Sequence, residues 1–152
     1  MTVKATYLLI DTNVLVYAHD PRDQTKQDRA IAILAHLAER QGVVLSTQVL
    51  AEFFVATTRR LPEPLTADEA QAQVERFLRF FPILDITGAI VLEACRGVRD
   101  HGLSFWDAQI WGTARLNGIP LILSEDFSDG RYLEAVRFRN PFAASFDLAE
   151  LS

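Results

Sequence analysis

The strongest constraint on this chain is an alternation of short apolar runs with longer amphipathic stretches. Residues 6–10 ("TYLLI"), 42–46 ("GVVLS"), "PILDI", "IPLILS" and "EAVRFR" are each of strand length. The intervals between them carry apolar residues at helical spacing. A helix is predicted over 25–40, with Ala30, Ile33, Leu34 and Leu37 on one face, and another over 47–60. A third starts at the Thr66-x-x-Glu69 signature, a capping box, and its face of Val74, Phe77, Leu78 and Phe81 continues it to about Phe80. Helices at about 87–100 and 105–117 are closed by Gly102 and Gly118. Buried strands joined by helices form a parallel sheet covered on both faces, so the predicted fold is an α/β class, three-layer α/β/α sandwich with a mostly parallel sheet. No linker, internal repeat or low-complexity tract interrupts the 152 residues, so one domain spanning 1–152 is expected.

Composition excludes several function classes. No apolar run approaches the roughly 20 residues that cross a bilayer, so no membrane role is expected. The opening "MTVKATYLLIDTN" lacks the long apolar core and small-residue cleavage site of a signal peptide. A single cysteine, Cys95, excludes an intramolecular disulfide; it fits a helix face, and a reducing cytoplasm is the expected location. A formal charge of −5 argues against a protein that coats nucleic acid through general basicity. The basic residues are 13 Arg and 2 Lys, and Arg suits phosphate, which is a slight pointer in the other direction.

The acids are placed less ordinarily. In an open parallel sheet, ligands bind beyond the carboxyl ends of the strands. Asp11 ends the first strand in "LLIDTNVLVY", and Asp126 lies just past "PLILS" in "LILSEDFSDG". Taken alone, Asp11 reads as the cap of a following helix. Glu52, in "TQVLAEFFVATTRR", shares a helix stripe with Val49, Val55 and Ala56; an ion pair with Arg59 or Arg60 is the plainer reading. Asp107 has Ile110, Trp111 and Ala114 on its face, although Ser104-x-x-Asp107 also fits a capping box. Each plain reading works singly, but four acids at one end of one sheet are harder to explain in that way. Converging carboxylates repel, and Mg2+ or Mn2+ resolves the repulsion through oxygen ligands while also binding phosphate. Asp129, in "EDFSDG", is a candidate fifth ligand, with an ordinary Ser-Asp-Gly turn as the alternative.

"LLIDTNVLVY", "LSTQVLAEFF", "LSFWDAQI" and "LILSEDF" resemble, in order and separation, the four acidic motifs of PIN-domain ribonucleases. Size, simple architecture and the closing "VRFRNPF" are most similar to the VapC-type toxins of toxin–antitoxin pairs. The resemblance implies a PIN-like fold and a catalytic metal site of Asp11, Glu52, Asp107 and Asp126, with Asn13 and Ser124 as polar support. It implies an Mg2+- or Mn2+-dependent endoribonuclease, an RNA substrate, a cognate antitoxin and a homodimer. Two alternatives stand beside it: a PIN nuclease of RNA processing outside toxin systems, and a non-catalytic binding module.

Other residues carry less. His19, His36 and His101 have no ligand spacing, and Trp106 and Trp111 read as core or interface residues rather than platforms for bases. Arg59 and Arg60, following the helix of Glu52, are candidate RNA-phosphate contacts or simply a solvated helix end. "DTN" lacks the second acid, at Asn13, that a haloacid-dehalogenase-type phosphatase requires.

Overall fold

The structure, a computed structural model, describes residues 6–152; Met1–Ala5, part of the N-terminus expected to carry no leader, lie outside the described residues. Its framework is a six-stranded sheet: β1 (Leu8–Ile10), β2 (Val43–Ser46), β3 (Ile83–Leu84), β4 (Leu121–Leu123), β5 (Tyr132–Leu133) and β6 (Val136–Arg139). The spatial order is β3-β2-β1-β4-β6-β5, with only β5 antiparallel to its neighbour. Six helices connect and cover it: α1 (Thr12–Tyr17), α2 (Gln24–Ala38), α3 (Thr47–Arg59), α4 (Ala67–Phe80), α5 (Gly88–His101) and α6 (Phe105–Leu116). A mostly parallel sheet among helices is the class expected from the alternation. Among the described residues no helix is long and apolar enough to cross a membrane.

The strands are only two to four residues long and are specified by burial. Leu8, Leu9 and Ile10 are wholly buried, and Ile10 pairs with Leu123 across the β1–β4 register. Such full burial is what continuous apolar runs in parallel strands encode. The helix starts follow their caps. Thr66 and Glu69 form the complete capping box at α4, and Ser46 and Thr87 cap α3 and α5. Gly102, at φ +66, takes the left-handed position that ends α5. One apolar face reads differently from expectation: Phe77 is buried, but Leu78 of the same predicted stripe is 53% exposed, since α4 packs chiefly against α3.

Helices α5 and α6 form the closest helix pair, and Gly97 permits it. A Cβ at Gly97 would lie 3.0 Å from ring atoms of Trp111 and 3.2 Å from the Ala108 Cβ. Trp111 is fully buried, with its Nε1 donating to the Leu133 carbonyl (3.2 Å), so α6 is held against both α5 and the β5–β6 hairpin. That anchoring sets the position of the N-terminal end of α6, where Asp107 sits.

Candidate active site

The chain builds β1, β2 and β3 outward on one side, then crosses to the other side of β1 with β4. The strand order therefore reverses between β1 and β4, and a crevice opens at their carboxyl ends, where open α/β sheets take ligands. A cleft of about 850 Å3 occupies this position. Asp11, Asn13, Glu52, Asp107 and Asp126 all line it, together with Gln48, Trp106, Arg22 and Arg60.

Asp11 is the deepest of the acids, 3% exposed. It caps α1, its Oδ1 accepting from the Thr12 N–H (2.7 Å), so the capping reading of the sequence is correct as far as it goes. Its Oδ2 accepts from the Ser124 hydroxyl (2.6 Å) and lies 3.5 Å from Asn13 Nδ2. Ser124 Oγ in turn accepts from Asn13 Nδ2 (3.2 Å) and from the Asp126 N–H (3.0 Å). One buried hydroxyl thus ties the ends of β1 and β4 and the backbone of Asp126 to a single point. Even so, burial pushes the Asp11 carboxyl up from 3.8 to about 7, against the pull of Ser124 and Thr12, and Asp126 and Glu52 add repulsion.

Asp107 sits in the first turn of α6, its N–H donating to Ser104 Oγ (3.3 Å). It is half-buried; burial raises its pKa, Ser104 opposes the rise, and Asp126 and Glu52 again contribute repulsion. Glu52 and Asp126 therefore act on both aspartates, which brings the four predicted acids into one electrostatic group. Asp126 is exposed at the rim. Its neighbour Glu125 is directed elsewhere: the Tyr17 hydroxyl and Lys26 Nζ (2.7 Å) both donate to its carboxylate.

Three polar residues at this site lie within the acidic motifs but were given no role from the sequence. The Thr12 hydroxyl donates to Glu52 Oε2 (2.6 Å), and Gln48 Nε2 donates to Glu52 Oε1 (2.9 Å). Gln109 Nε2 donates to Gln48 Oε1 (2.8 Å), which bridges α3 to α6 through two buried glutamines. Gln48 precedes Glu52 by four residues and so shares its helix face, a signal available in the sequence. Gln109 was detectable only as an amide between Ala108 and Ile110.

Two sequence candidates fall outside the group. Asp129, considered as a fifth ligand, accepts from Arg139 Nε (3.0 Å) and the Asn140 N–H (2.9 Å). The turn after Asp126 directs it toward β6, and it does not line the cleft. Arg59 is exposed at the end of α3 and does not line the cleft either; Arg60, one residue on, does. His19 packs edge-on against Phe53 (5.6 Å), and Trp111 is in the core as expected. Trp106 is not: it is 62% exposed in the cleft wall.

The donor set suits a hard cation: all the candidate ligating atoms are carboxylate oxygens, and the most buried of them has no positive partner among the described residues. Among the described residues no group of three or more His, Cys, Asp or Glu is drawn close enough to hold an ion by itself. Mg2+ usually keeps several waters and is held by one or two carboxylates and substrate phosphate.

A mostly parallel sheet with an acid-lined crevice at its switch point defines a class of α/β proteins with an acidic pocket beyond the strand ends. Within that class this chain belongs to the PIN domain family, whose model matches residues 8–128. Solved structures share the fold. The Mycobacterium tuberculosis VapC20, described as a sarcin-ricin loop cleaving toxin, is 23% identical over 86% of this chain and 98% of its own, with a TM-score of 0.65. A toxin–antitoxin complex from Klebsiella pneumoniae is 19% identical, covering 88% and 97%, at 0.62. VapBC2 from Rickettsia felis, bound to a DNA fragment from its promoter, is 16% identical, covering 89% and 98%, at 0.62. No curated protein matches.

Proposed function

We propose that this protein is a divalent-metal-dependent endoribonuclease and the toxin of a toxin–antitoxin pair. The observation that carries the nuclease reading is Asp11. A carboxylate buried at the switch point, pushed to about 7 and repelled by two further acids, is only part-ionised at neutral pH and becomes fully so beside a cation. Asp11 and Asp107, with Glu52 and Asp126, would hold Mg2+ or Mn2+. When bound, the ion lowers the pKa of a water and polarises a phosphodiester.

The rest is the work of the chain. Ser124 and Asn13 orient Asp11, while Thr12 and Gln48 hold both oxygens of Glu52, so that the carboxylates present fixed lone pairs to the cleft. Arg60 at the cleft edge is the candidate contact for RNA phosphate. The toxin assignment rests on shared fold with VapC20 and with toxins solved beside their antitoxins. It carries with it a homodimer and a separate antitoxin that inserts a basic side chain, Arg by its fork geometry, among the four acids.

The test has two arms. Purified protein should cut single-stranded RNA in Mn2+ or Mg2+, stop in EDTA and recover on adding back the ion; full activity in metal-free protein overturns the mechanism. Expression alone should arrest growth, and co-expression with the adjacent gene product should restore it. RNA cleavage in vitro by a protein harmless to its host would remove the toxin role and leave a PIN nuclease of RNA processing.

A further inference from the structure

Trp106 is the most exposed large apolar side chain lining the cleft, and the acids do not account for it. Trp106 immediately precedes Asp107 in the first turn of α6 and leaves 62% of its surface in water. Trp111, one and a half turns later on the same helix, is wholly buried. An exposed indole is costly to leave in water, by roughly 25 cal/mol for each Å2 of apolar surface. This one is also held in place. Its ring meets Phe105 edge-on (5.1 Å between centroids, 83° between planes), and its carbonyl accepts from Gln48 Nε2 (3.1 Å). Gln48 is the same side chain that holds Glu52, so a single hydrogen-bonding group fixes both an acid of the site and the backbone that carries the indole.

The charge balance shows what such a surface is for. Non-specific affinity for nucleic acid comes from cations that neutralise phosphate. This chain carries a net charge of −5, and its cleft is lined by five carboxylates, Asp20 with the four acids, against Arg22 and Arg60. Arg22 is committed to Asp20, with its Nη2 2.7 Å from Oδ2. Electrostatics therefore supplies little grip on an RNA strand, whereas base stacking is insensitive to net charge and accepts any base.

We infer that Trp106 is a stacking platform for one unpaired nucleobase of the substrate, flanking the phosphodiester presented to the acids. The inference rests on the nuclease reading and deepens it: the substrate class becomes RNA with a base that is unstacked or can be drawn out, as in single strands and loops. A base in a continuous helix has both faces covered and is refused. Trp106 thus binds substrate and has no part in activating water.

The experiment separates this inference from the nuclease reading by measuring binding without cleavage. In EDTA and low salt, a short single-stranded RNA should quench the emission of Trp106, while buried Trp111 supplies a constant background. Trp106→Leu should abolish the quenching. Trp106→Ala should weaken binding and raise KM by roughly 5- to 100-fold, the range for loss of one stacked base. Trp106→Tyr should recover most of the loss, and kcat should change little. An RNA with one abasic position beside the cleavage site should lose as much with the wild type and nothing further with Trp106→Ala.

Unchanged KM and unquenched emission would overturn the proposal. So would a Trp106→Ala variant that dissociates a dimer or releases a protein partner while binding RNA normally, which would make the indole a protein–protein contact. Binding and quenching without cleavage in Mn2+ would leave the platform standing and remove the nuclease reading.

Discussion

Replacing Asp11 by Asn should stabilise the metal-free protein, and the size of the gain should depend on pH. The folded carboxyl is raised from 3.8 to about 7 by burial. Below pH 3.8 both folded and unfolded chains hold the proton, and there is no penalty. Between that value and about 7 the folded chain keeps a proton that the unfolded chain releases, so stability falls as pH rises. The slope contributed by this group reaches about 1.4 kcal/mol per pH unit, and the full cost above pH 7 is about 4 kcal/mol. Asn imitates the protonated form and keeps the bond from the Thr12 N–H, but disturbs the bond from the Ser124 hydroxyl (2.6 Å), at roughly 1–1.5 kcal/mol. The net gain at pH 8 is then about 2–3 kcal/mol, or roughly 5–10 °C in Tm for a chain of this size. At pH 5 most of the gain should vanish. Thermal melts in EDTA across this pH range measure it, and the wild-type-minus-variant difference cancels the slope due to the other acids. Mn2+ should erase the difference at about a hundred times its dissociation constant, where it stabilises the wild type by about 2.7 kcal/mol and the variant hardly at all, and reverse it at about a thousand times, where the gain is about 4.1 kcal/mol. A Tm difference equal at pH 5 and pH 8, or a less stable variant at both, would refute the reasoning, because Asp11 would then be ionised at no cost in the folded state.

Asp107→Asn should also abolish cleavage while leaving the fold intact, seen as a native circular dichroism spectrum without product on an RNA gel; its stabilisation should be smaller than that of Asp11→Asn because the group is only half-buried. Gln48→Ala removes a donor to Glu52 and the acceptor for Gln109, and should reduce activity or metal affinity by about 10- to 100-fold, with a rise in the Mn2+ concentration needed for half-maximal cleavage. Gly97→Val places Cβ 3.0 Å from the Trp111 ring and should destabilise by about 1–3 kcal/mol in urea titration, a wild-type midpoint being the contrary result.

Much of the architecture is visible in the sequence because β1, β2 and β4 are buried almost completely. A run such as Leu8-Leu9-Ile10 has no exposed face in this sheet, so hydrophobicity alone marks it. The elements that escaped are those built by other forces. Helix α1 was visible only as the helix that Asp11 would cap; at six residues it is too short to show a period of its own. Strand β5 is joined to β6 through Glu134 and Ala135, at φ 45 and φ 70. Those angles belong to Gly or Asn in a tight hairpin, so "EA" carries no turn signal. What offsets the strain is tertiary: the Glu134 carboxylate meets Arg96 Nη1 (2.9 Å) and His101 Nε2 (2.6 Å).

The site divides along the same line. Asp11 and Asp126 follow strands, and topology alone sends residues beyond strand ends to the crevice. Glu52 and Asp107 lie on helices from different parts of the chain, and their approach depends on how α3 and α6 are seated. Sequence periodicity places each on an inward stripe but cannot say which stripes meet. Val55, read as part of the apolar stripe around Glu52, illustrates the difference: it is 44% exposed and forms the wall of the cleft. Two buried glutamines, Gln48 and Gln109, register the helices against each other, and burying an amide is tolerable only when it finds partners. A slip of α6 by one residue would strand both amides, together with the bond from Gln48 to the Trp106 carbonyl. The glutamine pair therefore penalises any seating other than the one that brings Asp107 to Glu52, and the precision of the acid group comes from neutral side chains that no acidic motif reveals.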